Sequence, residues 1–198
     1  MSKRHFSTPV EQRSVVRVDW SGATRRLIAG AMSVAVAGSL FVPNVALAAE
    51  WVDVGGTTYN AGSSAGDEAG TWAWDGADDM RLNGYEGGAI AAGGKLDVTY
   101  SGNNTVTNND GSGIKVLDGA SENAELNIQG DASSTLNVTS SSDAIISKGD
   151  ITIDGAGTVN ATSTEADAID AKGDLTIKGS GNVNATGDSD GIRANDNI

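Results

Sequence analysis

Cysteine is absent from all 198 residues, while proline and phenylalanine occur twice each and histidine once. Those few (His5, Phe6, Pro9, Phe41 and Pro43) all fall within the first 48 positions, so residues 49–198 lack all four types. Without Cys or His there is no thiolate nucleophile, no Ser–His or Cys–His couple, and no zinc or haem site of the usual kind. There is also no disulfide frame, so stability must come from a long continuous core. The missing proline suits strands that pair on both sides, because each Pro would remove a ladder hydrogen bond. Positive charge is scarce as well. Of 13 Lys and Arg, six precede residue 49, against two of the 26 Asp and Glu. Residues 49–198 therefore hold 7 basic and 24 acidic side chains, a formal charge of −17. Such a surface repels phosphate backbones, which argues against nucleic-acid binding. Excess carboxylate favours hard cations instead, calcium above all.

What the first 48 residues do have is the order of an export signal. Residues 1–26 are basic. Residues 27–42 read LIAGAMSVAVAGSLFV without a charge, Pro43-Asn44 breaks the run, and Ala46-Leu47-Ala48 sets small residues before a cut. This is the pattern of a secretory signal peptide with cleavage after Ala48 or Ala49. The apolar run of sixteen is short for a membrane span of about 20 residues. The expectation is a bacterial protein, secreted or displayed at the cell surface, with no stable membrane insertion once the leader is removed.

The remainder repeats. Residues 142–165 read SDAIISKGDITIDGAGTVNATSTE, residues 166–189 read ADAIDAKGDLTIKGSGNVNATGDS, and a further copy starts at Asp190. Equivalent positions are Asp143, Asp167 and Asp190; Ile145, Ile169 and Ile192; and Ile151, Leu175 and Ile198. Weaker copies lie upstream at Ile90 and Ile114, with an insertion expected at residues 118–125. A fixed period in the low twenties indicates a solenoid. Each unit alternates small or branched apolar residues with Thr, Asn and Asp, the period-2 mark of strands, between Gly-, Asp- and Ser-rich turns. Three strands and three turns in about 24 residues describe one coil of an all-β, right-handed parallel β-helix. Ile169, Leu175, Ile177, Val183 and Ala185 should point inward, laddered on Ile145, Ile151, Ile153, Val159 and Ala161. Thr152, Thr176, Asn160, Asn184 and Asp170 should face solvent. The predicted organisation is a signal peptide at 1–48, an N-terminal cap at 49–88 and β-helix repeats at 89–198. The repeat stops on the first residue of a strand at Ile198, so either truncation or fraying of an incomplete last coil is expected there.

The segments DAIISKGDITIDGAGTVNAT and DAIDAKGDLTIKGSGNVNATGDSDGI resemble a bacterial carbohydrate-binding domain family built on a pectate-lyase-like right-handed parallel β-helix. The match is specific over residues 142–198, diffuse over 88–141 and absent from 50–87. The resemblance implies calcium held by Asp residues of stacked turns and binding to acidic or plant-type polysaccharide; it does not imply lyase activity, despite the shared scaffold.

Candidate sites follow from the same columns. Asp143, Asp167 and Asp190, with Asp150 and Asp174 of the KGD turn, are the expected calcium ligands. Carboxylates stacked about 4.8 Å apart would repel by roughly 3.5 kcal/mol per pair at an effective dielectric near 20, which invites a cation. The competing role is local: Asp in a turn accepts backbone hydrogen bonds. Asn137, Asn160 and Asn184 should form a structural amide ladder. Trp72 and Trp74 would share one strand face, as a carbohydrate-binding strip or as a hydrophobic plug over the first coil. No catalytic residue stands out: Arg81 and Arg193 are the only arginines after the leader, and no basic position repeats. The predicted function is calcium-dependent, non-catalytic binding of acidic or cell-wall polysaccharide. The alternatives are an adhesive surface stalk and a calcium-dependent polysaccharide lyase.

Overall fold

The computed structural model describes residues 48–120 and 123–198. The leader predicted at 1–48 lies almost wholly outside the described residues, as do Ser121 and Glu122 of the predicted insertion. No helix among the described residues is long and apolar enough to cross a membrane.

The described chain is all-β, with its strands in three sheets and no barrel closure. The alternating sequence explains the local structure. In Thr135–Ser140, Leu136 and Val138 are buried while Thr135, Asn137 and Thr139 are half-buried or exposed. The chain visits the sheets in a fixed order. Ile90–Gly93 lies in the first sheet, Lys95–Ser101 in the second and Asn103–Asn108 in the third. Ile114–Leu117, Glu125–Gly130 and Thr135–Ser140 follow in the same order, and two further passages reach Thr186. Ile192–Ala194 then returns to the first sheet. Each of these strands pairs in parallel with its equivalent in the next passage. The register joins like to like: Ile90 pairs with Ile114, Ile114 with Ile145, Ile145 with Ile169 and Ile169 with Ile192. The predicted insertion sits between the strands that end at Leu117 and begin at Glu125.

One end is covered by antiparallel strands. Trp51–Val54 pairs with Thr57–Asn60 on one side and with Ile90–Gly93 on the other. Ala65–Gly66, Trp72–Trp74 and Asp79–Asn83 form an antiparallel edge, after which Asp79–Asn83 pairs in parallel with Lys95–Ser101. Apart from an isolated parallel bridge between Ala48 and Lys95, parallel pairing thus already begins with the strand at Asp79, upstream of the first recognisable repeat. A buried polar residue joins this end to the repeats. Asn104 occupies a core position opposite Leu136, is fully buried, and accepts a hydrogen bond from Tyr85 N at 2.9 Å. Its amide donates to Ser101 O at 2.9 Å, so the polar group is satisfied without water.

The inward ladder holds through Ile145, Ile151, Ile153, Val159, Ala161, Ile169 and Leu175, all buried. It weakens in the last passage. Val183 and Ala185 are half-buried, and Ile177, expected inside, is exposed at 44%. Ile177 does pair with Ile153, but its strand is the outermost of its sheet and nothing described stacks beyond it.

Candidate functional site

The third sheet presents a polar array. Its register aligns Asn103, Thr135, Thr158 and Asn182 in one file and Thr107, Thr139, Thr162 and Thr186 in another. Between them runs a file of Thr105, Asn137, Asn160 and Asn184. All alternate with buried residues such as Val106, Leu136, Val138, Val159 and Ala161, so they share the outward face. The middle file is an amide ladder: Asn184 Nδ2 donates to Asn160 Oδ1 and Asn160 Nδ2 to Asn137 Oδ1, each at 2.8 Å. Asn137 Nδ2 ends it on Asn104 O at 3.2 Å. These bonds immobilise the amides, and the flanking threonines keep their hydroxyls at half-buried or exposed positions. Neighbouring files stand two residues apart along a strand and neighbouring strands about 4.8 Å apart, giving a regular grid of donors and acceptors.

The two tryptophans do not join this face. Trp72 and Trp74 are buried, 7% and 1% exposed, and Trp74 Nε1 donates to Ala77 O at 2.9 Å. Tyr59 lies against Trp72 with ring centroids 5.4 Å apart. The strand alternation does put both rings on one face, but that face is the core side, so neither ring has a face to offer a sugar. Asp67 secures the loop that leads into them, accepting from Thr71 N at 2.7 Å and from Thr71 Oγ1 at 2.5 Å. The Thr71 hydroxyl bond is the main reason that its pKa is lowered.

The aspartate columns divide. Asp143 Oδ1 accepts from Asp167 N at 3.3 Å, and Asp167 Oδ1 from Asp190 N at 3.0 Å. Asp150 Oδ1 accepts from Asp174 N at 2.8 Å, and Asp174 Oδ1 from Asn197 N at 2.9 Å. Each carboxylate therefore caps a backbone donor in the next passage, which is one reason for Asp to recur in these turns. Of the five expected calcium ligands, only Asp143 and Asp167 are brought together, and their third partner is Asp170. One carboxylate oxygen from each of these three lies within 4.8 Å of the others. Asp190, Asp150 and Asp174 stand outside this group.

Asp170 corrects the sequence reading. Expected to face solvent, it is 2% exposed. Its strand, Ile169–Ala171, is buried at all three residues, and in register it lies between Ile146 and Arg193. Period-2 alternation assigns a side chain to a face but does not say what covers that face. Lys172 Nζ pairs with Asp170 Oδ2, and Arg193 approaches Asp167 Oδ2 at 3.6 Å. Asp170 Oδ1 is buried with no hydrogen-bond partner. An all-oxygen donor set with an orphaned buried carboxylate oxygen suits a hard divalent cation. The signal available in the sequence was that this position, held by Ala91, Lys115, Ile146 and Arg193 in the other copies, carries a carboxylate only at Asp170.

A second acidic group, Asp75, Asp78 and Asp79, lies outside the repeats. Burial first, then the neighbouring Asp75, Asp78 and Asp97, raises the pKa of Asp79. Asp75 Oδ1 is occupied by Ala77 N and Asp79 N, and Asp78 faces Lys95 at 3.6 Å. No orphaned oxygen marks this group, of which Asp75 and Asp79 line a hollow of about 530 Å³ beside Arg81.

Comparison with known proteins adds one finding. A family model described as "Carbohydrate-binding domain-containing protein" matches residues 86–198. No curated protein and no solved structure matches the chain.

Proposed function

The chain belongs to the carbohydrate-binding domain-containing family, and from that premise we propose that it is an exported, non-catalytic binder of acidic or cell-wall polysaccharide. The strands of its three sheets would wind as a right-handed parallel β-helix, the hand that parallel crossovers adopt. Residues 49–88 would act as its cap. The Thr and Asn grid of the third sheet would read sugar hydroxyls, and Asp143, Asp167 and Asp170 would hold calcium. The observation that carries the reading is the unbroken file Thr107, Thr139, Thr162 and Thr186, a rigid row of hydroxyls within the family-matched segment. A bound calcium would supply positive charge to an otherwise acidic surface, which an anionic sugar needs in order to approach.

Glycan-array binding measured with and without calcium tests the whole reading. A protein that binds no glycan under either condition is better described as a stalk. Thr139→Val with Thr162→Val keeps shape and removes two hydroxyls from the middle of the file. Binding should weaken about tenfold, the cost of about 1.4 kcal/mol from two net hydrogen bonds. Unchanged affinity with an unchanged melting temperature would remove the third sheet from the site. The calcium component is tested by heat. With calcium at about a hundred times its Kd, stability should rise by about 2.7 kcal/mol over the protein in EDTA. Coincident melting curves would refute it.

A further inference from the structure

We infer that Lys172 is a tethered competitor of the divalent cation at the Asp143–Asp167–Asp170 group, neutralising Asp170 when no metal is bound and thereby setting metal affinity. This rests on the calcium reading above and goes beyond it by assigning a role to a residue that is not a ligand.

The argument starts from Asp170. A carboxylate only 2% exposed is very costly to keep ionised without a partner. Its partner is supplied from two residues along the chain, where the Lys172 ammonium pairs with Oδ2 and leaves Oδ1 unmatched. Lys172 is fixed at its backbone, N donating to Ser147 O at 3.0 Å. Its side chain keeps 26% exposure, so a flexible stem can carry the ammonium from the carboxylate into water. The charges favour such an exchange. Three carboxylates face two cations, Lys172 and Arg193, so the group carries one net negative charge. Replacing the ammonium by a divalent ion, with Arg193 kept, makes it neutral. Arg193 is the weaker competitor. It reaches Asp167 only at 3.6 Å, is half exposed, and addresses an acid whose other oxygen already holds Asp190 N.

The repeat provides an internal control. Lys148 holds the same KGD-turn position one copy earlier, but the residue equivalent to Asp170 there is Ile146. Lys148 is exposed and makes no ion pair among the described residues. Of these two copies, the lysine acquires this role only in the one that places an Asp two residues before it.

The test is isothermal titration of calcium chloride into the full chain, paired with thermal melts in EDTA and in calcium. Lys172→Met should lower the calcium Kd about tenfold, because the metal no longer displaces an ammonium. It should also melt lower than the parent in EDTA and gain a larger shift from calcium. Lys148→Met should leave both quantities unchanged. Should Lys172→Met not fold, Lys172→Arg retains the charge with a stronger hold on the carboxylate, and calcium should then bind more weakly than to the parent. Calcium binding with equal affinity in the parent and the Lys172 variant overturns the competitor role while leaving the calcium site intact. Absence of calcium binding in every protein overturns the calcium reading and the inference together.

Discussion

Ile145→Ala is expected to lower the unfolding free energy by about 2–5 kcal/mol, the range for a fully buried aliphatic side chain cut to Ala. Ile145 is 0% exposed and sits between Ile114 and Ile169 in the first-sheet ladder, so neighbours on both sides line the cavity left behind. The matching change Ile192→Ala removes the same atoms from the same repeat position. Ile192 is 36% exposed and pairs with Ile169 on one side only. Its truncation should cost about 1 kcal/mol or less, since much of its surface is already in water. Urea denaturation of the two variants measures the difference. Equal losses would show that the ladder is not a continuous core.

Gly155→Ala should be nearly as damaging, at about 3 kcal/mol. Gly155 has φ +104°, and a Cβ there would lie 2.5 Å from Gly130 O and 3.0 Å from Gly130 N. The space is taken by backbone that cannot swing aside. Gly130 O accepts from both Ala156 N and Gly157 N, and Gly155 O in turn accepts from Ser180 N and Gly181 N. The corner between the second and third sheets is thus built from carbonyls stacked directly on glycines. Gly84→Ala is the comparison. Its φ is +75°, but no atom lies within 4 Å of the added Cβ. It should cost only the left-handed strain of about 1–2 kcal/mol. A similar loss from both would mean that strain, not close backbone approach, governs the corner.

Much of the architecture was legible because it is periodic. The spacing of Ile145, Ile169 and Ile192 predicted a ladder, and those residues pair in that register. The Asn137–Asn160–Asn184 ladder was legible for the same reason: stacked identical amides complete one another. Residues 50–87 carry no repeat, so nothing in them indicated that Asp79–Asn83 would already pair in parallel with Lys95–Ser101. The candidate sites were legible only in part. Recurring Asp pointed to a cation column or to local turn bonds, yet Asp150 and Asp174 each accept from a backbone N–H of the next passage, a partner that spacing within one turn does not disclose.

Composition and periodicity alone determined the acidic surface, the strand alternation and the like-to-like stacking, because these depend on residue type and spacing along one chain. Tertiary structure decided what each outward or inward position meets. It closed Trp72 and Trp74 into the core and left Ile177 exposed at the edge of its sheet. It also buried Asp170 between Ile146 and Arg193, with Lys172 as its partner. Burial is set by the atoms that come to lie above a side chain, and those arrive from other passages of the chain.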